Sequence, residues 1–210
     1  AEGLYTPQLL MIGSGVLEWV RENFYADLED RNTAYETMIS EAEELKPGSD
    51  GVTMLPSFKA DTGPLKKYGT QGTLLGLGLN TGRAHVYRAA LEGLCFQLKD
   101  ALSILNSATG FQPEAIRVVG GGSRNYLWNQ LRADVCEMPV TITEHKEGTV
   151  VGGAIAAWIG AGRFASFTEG QENLEMETTI IEPSDDAEAY RELYEKYRKA
   201  SPALQDFYAS

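Results

Sequence analysis

Cysteine, histidine and basic charge are all scarce in this chain of 210 residues, and each shortage removes a class of function. Its two cysteines, Cys95 and Cys136, are too few for a disulfide framework and lack the paired spacing of a zinc site. Cys95 falls in a helical apolar stripe, which predicts a buried free thiol and fits a reducing, cytoplasmic setting. The two histidines are His85 and His145, and no serine–histidine–aspartate arrangement is legible around them. A formal net charge of −12 leaves no basic stripe for a phosphate backbone, so nucleic acid is not an expected partner. No apolar run approaches the ~20 residues that span a bilayer. No charged-then-apolar leader is legible either, and neither a membrane partner nor secretion is expected. The Gly-x-x-x-x-Gly-Lys-Ser/Thr phosphate loop does not occur. Predicted strand interiors carry no acids, so a carboxylate metal cluster lacks its parts. The first residue is Ala1, which fits either simple processing or a segment of a longer protein.

What is present is a globular mixture, 43% hydrophobic and 23% charged, long enough for one domain with a substantial core. Val16, Leu17, Trp19, Val20 and Phe24 recur at helical spacing after Ser14. Thr33 with Glu36 forms a capping-box pattern for a second helix, which Lys46-Pro47-Gly48 ends. Gly51 to Phe58 and Leu74 to Leu79 read as strands around a loop from Ala60 to Thr73. From about Arg83, Tyr87, Leu91, Leu94, Leu98, Ala101 and Leu105 predict a long core-facing helix. Beyond it strand and helix alternate: 116–119, 126–136, 140–143 and 150–161. That order implies βαβ units with parallel pairing. The Glu-rich tract from Glu169 to Glu182 reads as a solvated connection before a last helix over about 185–199.

The stretch Ile116-Arg117-Val118-Val119-Gly120-Gly121-Gly122-Ser123-Arg124-Asn125 points to a ligand class. A β-branched strand runs into three glycines and then into a helix, the order by which many α/β proteins bring backbone amides close to a nucleotide. Three glycines in succession remove the β-carbons from one side of the turn, so a flat base can lie on the backbone. Ser123 offers a hydroxyl, and Asn125 offers both donor and acceptors suited to an adenine edge. The dinucleotide fingerprint is only partly met, because Asn125 stands where its third glycine belongs, although Glu144 sits where a ribose-binding acid would. Asp61-Thr62-Gly63 superficially resembles a phosphate turn. Pro64 follows it and no apolar strand precedes it, so a loop is expected. His85 is expected to make a structural hydrogen bond within the long helix, and Arg124 to lie at the surface.

Gly72-x-Leu74-x-Gly76-Leu77 followed by His85-Val86-Tyr87-Arg88-Ala89-Ala90-Leu91-Glu92 resembles the second signature of the FGGY carbohydrate kinases. Gly120 to Gln130 is similar to that family's adenosine turn, and Thr149-Val150-Val151-Gly152-Gly153-Ala154 to the helix start that follows it. Within the family, Gly15 to Arg21 and Leu79-Asn80-Thr81 resemble the branch acting on L-fuculose, with rhamnulose and xylulose kinases as near relatives. The resemblance implies an α/β fold of the actin-like, ribonuclease H-like type, a mixed sheet with flanking helices. It places residues 1–210 as the second of two domains. It also implies transfer of the ATP γ-phosphoryl group, with Mg²⁺, to a ketose such as L-fuculose. On this resemblance Gly120, Gly121, Gly122, Ser123 and Asn125 contact adenosine. The family's first phosphate turn, its aspartate base and its main sugar contacts have no counterpart here. Catalytic and metal-binding residues are therefore expected outside this chain, which alone is expected to be silent. A non-catalytic interaction domain and a dinucleotide-binding module are the alternatives, and a homo-oligomer is compatible with the sequence.

Overall fold

A computed structural model describes residues 11–59, 63–64, 66–143, 148–174 and 177–209. Helix α1 (Ser14–Phe24) buries Val16, Leu17 and Val20 on one face. Helix α2 (Arg31–Glu43) begins one turn before the capping box expected from the sequence. Asp30 caps it, its Oδ1 accepting from both the backbone N–H and the hydroxyl of Thr33. Strands β1 (Thr53–Leu55) and β2 (Thr73–Leu75) pair antiparallel, Met54 opposite Leu74. The second strand ends well before Leu79, because Gly76 turns away at φ 79° with its α-carbon against the carbonyl of Gly51.

Helix α3 (Arg83–Thr109) is the spine. It crosses β1 so closely that Gly93 lies against the carbonyl of Met54, where no β-carbon has room. Around it gather α1, α2, helix α4 (Tyr126–Cys136) and the terminal helix α7 (Ala187–Tyr208). Val20, Met38, Leu55, Tyr87, Leu91, Leu131 and Tyr190 are almost wholly buried where these elements meet.

The second sheet holds β3 (Ile116–Val118), β4 (Val140–Thr143) and β5 (Thr178–Ile181). The β3–β4 pair is parallel, with α4 as its crossover, as the alternation predicts. β5 adds antiparallel to β4, making the sheet mixed. That strand and the short helix α6 (Phe167–Glu172) occupy the tract expected as a solvated connection. Thr178, Thr179 and Ile180 are exposed, so the strand forms by edge pairing and not by burial of a patterned face. Helix α5 (Gly148–Gly160) leads from the sheet to α6. Among the described residues no helix is long and apolar enough to cross a membrane.

Candidate functional site

The glycine turn joins β3 to α4 and is stitched from within. Gly120 sits at φ 82° and ψ −166°, a region that only glycine occupies freely. Ser123 donates its hydroxyl to the Gly120 carbonyl at 2.7 Å and its backbone N–H to the same oxygen at 3.0 Å. Its own carbonyl accepts from Asn129 Nδ2 at 2.8 Å. Asn125 is the N-cap of α4, its Oδ1 accepting from Trp128 N at 2.9 Å. Its Nδ2 donates to the Tyr87 hydroxyl at 2.8 Å, which ties the turn to the spine helix.

All five residues expected at the site, Gly120 to Ser123 and Asn125, thus come together, but they divide by role. Gly121 and Gly122 line a cavity of about 380 Å³. A β-carbon on Gly121 would meet nothing, whereas one on Gly122 would stand 3.3 Å from Trp128 and 3.4 Å from Arg132. Ser123 and Asn125 are buried, and their side chains are engaged inside the protein. The expected edge-reader Asn125 therefore holds an amide already committed at both ends.

Gly13 and Ser14, at the start of α1, also line the cavity. Gly13 also leans on Trp128, 2.9 Å from the ring for an added β-carbon. One indole thus lies against both backbone segments. Leu94, Leu98 and Val118 make the remaining sides apolar. Arg132 lines the same cavity, its guanidinium stacked 3.8 Å above the Trp128 ring. Neither α1 nor Arg132 was expected at the site. The available signal was spacing: Trp128 and Arg132 stand one helical turn apart, so a cation shares the inward face of α4.

Other candidates take structural places. His85 Nδ1 accepts from the Gly82 N–H at 3.0 Å at the start of α3, and its Nε2 lies 3.2 Å from Asp50. Cys95 and Cys136 are buried free thiols, and burial raises both, Cys136 to about 12. Arg124 is exposed. Glu144, His145, Asp61 and Thr62 lie outside the described residues. Among the described residues no three His, Cys, Asp or Glu side chains gather to hold a metal.

The cavity thus combines glycine backbone, the apolar side chains of Leu94, Leu98 and Val118, and the Arg132 cation. Residues 3–161 match the C-terminal domain of the FGGY family of carbohydrate kinases. The chain belongs to that family.

An L-fuculokinase of Escherichia coli strain K12 is 38% identical over 91% of the chain. A gluconokinase of Bacillus licheniformis is 27% identical over 93% of it. Among solved structures, a xylulose kinase from Rhodospirillum rubrum superposes with a TM-score of 0.78 over 94% of the chain at 27% identity. The FGGY match confirms the actin-like α/β fold expected from the sequence. The chain spans 38% to 39% of the length of these FGGY relatives.

Proposed function

We propose that this chain supplies the adenosine side of the ATP site of a sugar kinase. The whole protein would phosphorylate a ketose, L-fuculose before its relatives. The cavity between the α1 start and the Gly121–Gly122 backbone carries the reading, and the family supports it, since a sugar kinase uses ATP as phosphoryl donor. The identity to L-fuculokinases favours L-fuculose over xylulose or gluconate. In this reading residues 1–210 correspond to the second domain, and the base and phosphate-binding turns lie in the remainder of the protein.

The chain's part is to bind and orient. Gly121 and Gly122 form the platform beneath the base. Gly120 supplies the backbone conformation that presents them. Ser123 and Asn125 hold the turn closed and fasten it to α4 and Tyr87. Fixing the handle of ATP places its phosphates relative to the other half, which is where positioning lowers the barrier in phosphoryl transfer. The Mg²⁺ that the family implies finds no ligand cluster among the described residues.

Gly121→Val is the decisive variant, because Gly121 lines the cavity and a β-carbon there meets no protein atom. Calorimetric titration of the 210-residue chain with ATP is expected to give heat for wild type and none for Gly121→Val, at unchanged melting temperature. Absence of heat from wild type at millimolar ATP would defeat the reading. In the full-length protein, a coupled assay across L-fuculose, xylulose and gluconate is expected to favour L-fuculose.

A further inference from the structure

Arg132 is the unusual member of the cavity. The residue is only 8% exposed, yet among the described residues no carboxylate pairs with it. The structure gives its charge two compensations, the face of Trp128 and the Asn129 Oδ1 that accepts from Nη1. The titratable groups that act on it are Cys95 and Cys136, whose own thiols burial keeps protonated. Burial accordingly pulls the Arg132 guanidinium below its ordinary value. Its Nη2 faces the inner side of Gly122, 3.4 Å from where a β-carbon would stand. A largely buried cation is costly unless something completes it. Here that completion is missing on the side that lines the cavity.

Resting on the adenosine reading above, we infer that Arg132 is a ligand-contacting residue whose open guanidinium edge donates to a ring nitrogen of the purine. The walls decide between base and phosphate. Leu94, Leu98 and Val118 line the same cavity as the guanidinium, apolar surface on which a flat ring can lie. A polyphosphate needs several convergent donors and a metal, and one stacked arginine is not that. Adenine presents acceptors at N1, N3 and N7, and a single charge-assisted hydrogen bond to one of them satisfies the free edge. The stacked Trp128 then fixes the fork in plane, so Arg132 sets how deep the ring enters the slot.

The test uses the 210-residue chain as wild type, Arg132→Met and Arg132→Lys. Each is titrated with ATP, with adenosine, and with the 1-, 3- and 7-deaza analogues of ATP, which each lack one ring acceptor. Arg132→Met is expected to weaken ATP and adenosine alike, by roughly ten- to a hundredfold, the range for a hydrogen bond to a charged group. One deaza analogue is expected to bind wild type more weakly by the same factor and to lose nothing further in Arg132→Met. Arg132→Lys is expected to show the same loss in part. The melting temperature of ligand-free Arg132→Met is expected to hold or rise, since an uncompensated buried charge is gone. A lowered melting temperature with unchanged affinity would make the residue structural and overturn the inference. Loss for ATP but not adenosine would assign it to a phosphate and overturn it equally. If wild type binds ATP and all deaza analogues alike, the inference falls while the adenosine reading stands. If wild type binds no adenine nucleotide, both fall.

Discussion

Arg88 and Glu92 stand one helical turn apart on α3, both nearly out of solvent, and between them they engage elements far apart in the chain. Glu92 Oε1 accepts from Arg88 Nε at 3.1 Å, from the Gly48 N–H at 2.9 Å and from the Tyr190 hydroxyl at 3.0 Å, and Oε2 accepts from Ser49. Arg88 also donates to the Ala42 carbonyl and to Tyr190. Burial raises the Glu92 carboxyl, but every polar atom of the pair has a partner. Glu92→Ala would strand the Arg88 cation in the core. The expected loss is about 3–5 kcal/mol, as for breaking one half of a buried pair. Tyr190→Phe removes one hydroxyl that serves both residues, for about 1–3 kcal/mol. Urea unfolding of the three proteins checks both values, and a Glu92→Ala cost near zero would show the pair to be ornamental. The sequence displayed Arg88 and Glu92 as members of a signature, but not their role. That role depends on Gly48, Ser49 and Tyr190, partners no local window contains.

Helix α3 illustrates how an element can be legible while its constraint is not. Its apolar spacing predicts a helix from Thr81 or Arg83 to about Leu105, and the helix runs from Arg83 to Thr109. The Gly93 position looks like a helical weakness, worth about 1 kcal/mol if replaced by alanine. The fold reverses that sign, because the missing β-carbon is where β1 passes and the Met54 carbonyl occupies the space. Gly93→Ala is therefore expected to destabilise by roughly 1–3 kcal/mol, the cost of overpacking, with a lowered melting temperature by circular dichroism. A stabilised variant would mean that the crossing is looser than described. The other mismatches share a cause. Asp30 outcompetes Thr33 as cap because its carboxylate reaches two donors of the same residue. α7 continues past Pro202 because the proline is exposed and removes only one rung of the ladder. β5 forms where composition reads as solvated, since the free edge of β4 supplies the bonds. At the site, the glycine turn was legible because glycine runs before a helix are rare. Arg132 was not, because its meaning comes from what fails to surround it.

At the scale of the whole molecule, carboxylates bind the elements together and make stability depend on pH. The Arg83 guanidinium holds Glu41 below its ordinary range and Arg191 does the same for Glu137, while the Thr33 N–H lowers Asp30. These groups have lower values folded than unfolded, so their stabilisation is present above about pH 4 and is lost as pH falls through the folded values. Glu92 and Asp100, raised mainly by burial, act oppositely. Their unfavourable ionisation eases in acid and makes the decline shallower. The melting temperature is expected to fall from about pH 5 toward about pH 2, and a flat profile would contradict the ion-pair assignments. Tyr190 has one further consequence. The family model matches residues 3–161, and the Arg88–Glu92 pair inside that stretch closes on a hydroxyl from α7, beyond it. The packing thus continues past the end of that match. A fragment trimmed at residue 161 would lose the Tyr190 hydroxyl from both Arg88 and Glu92.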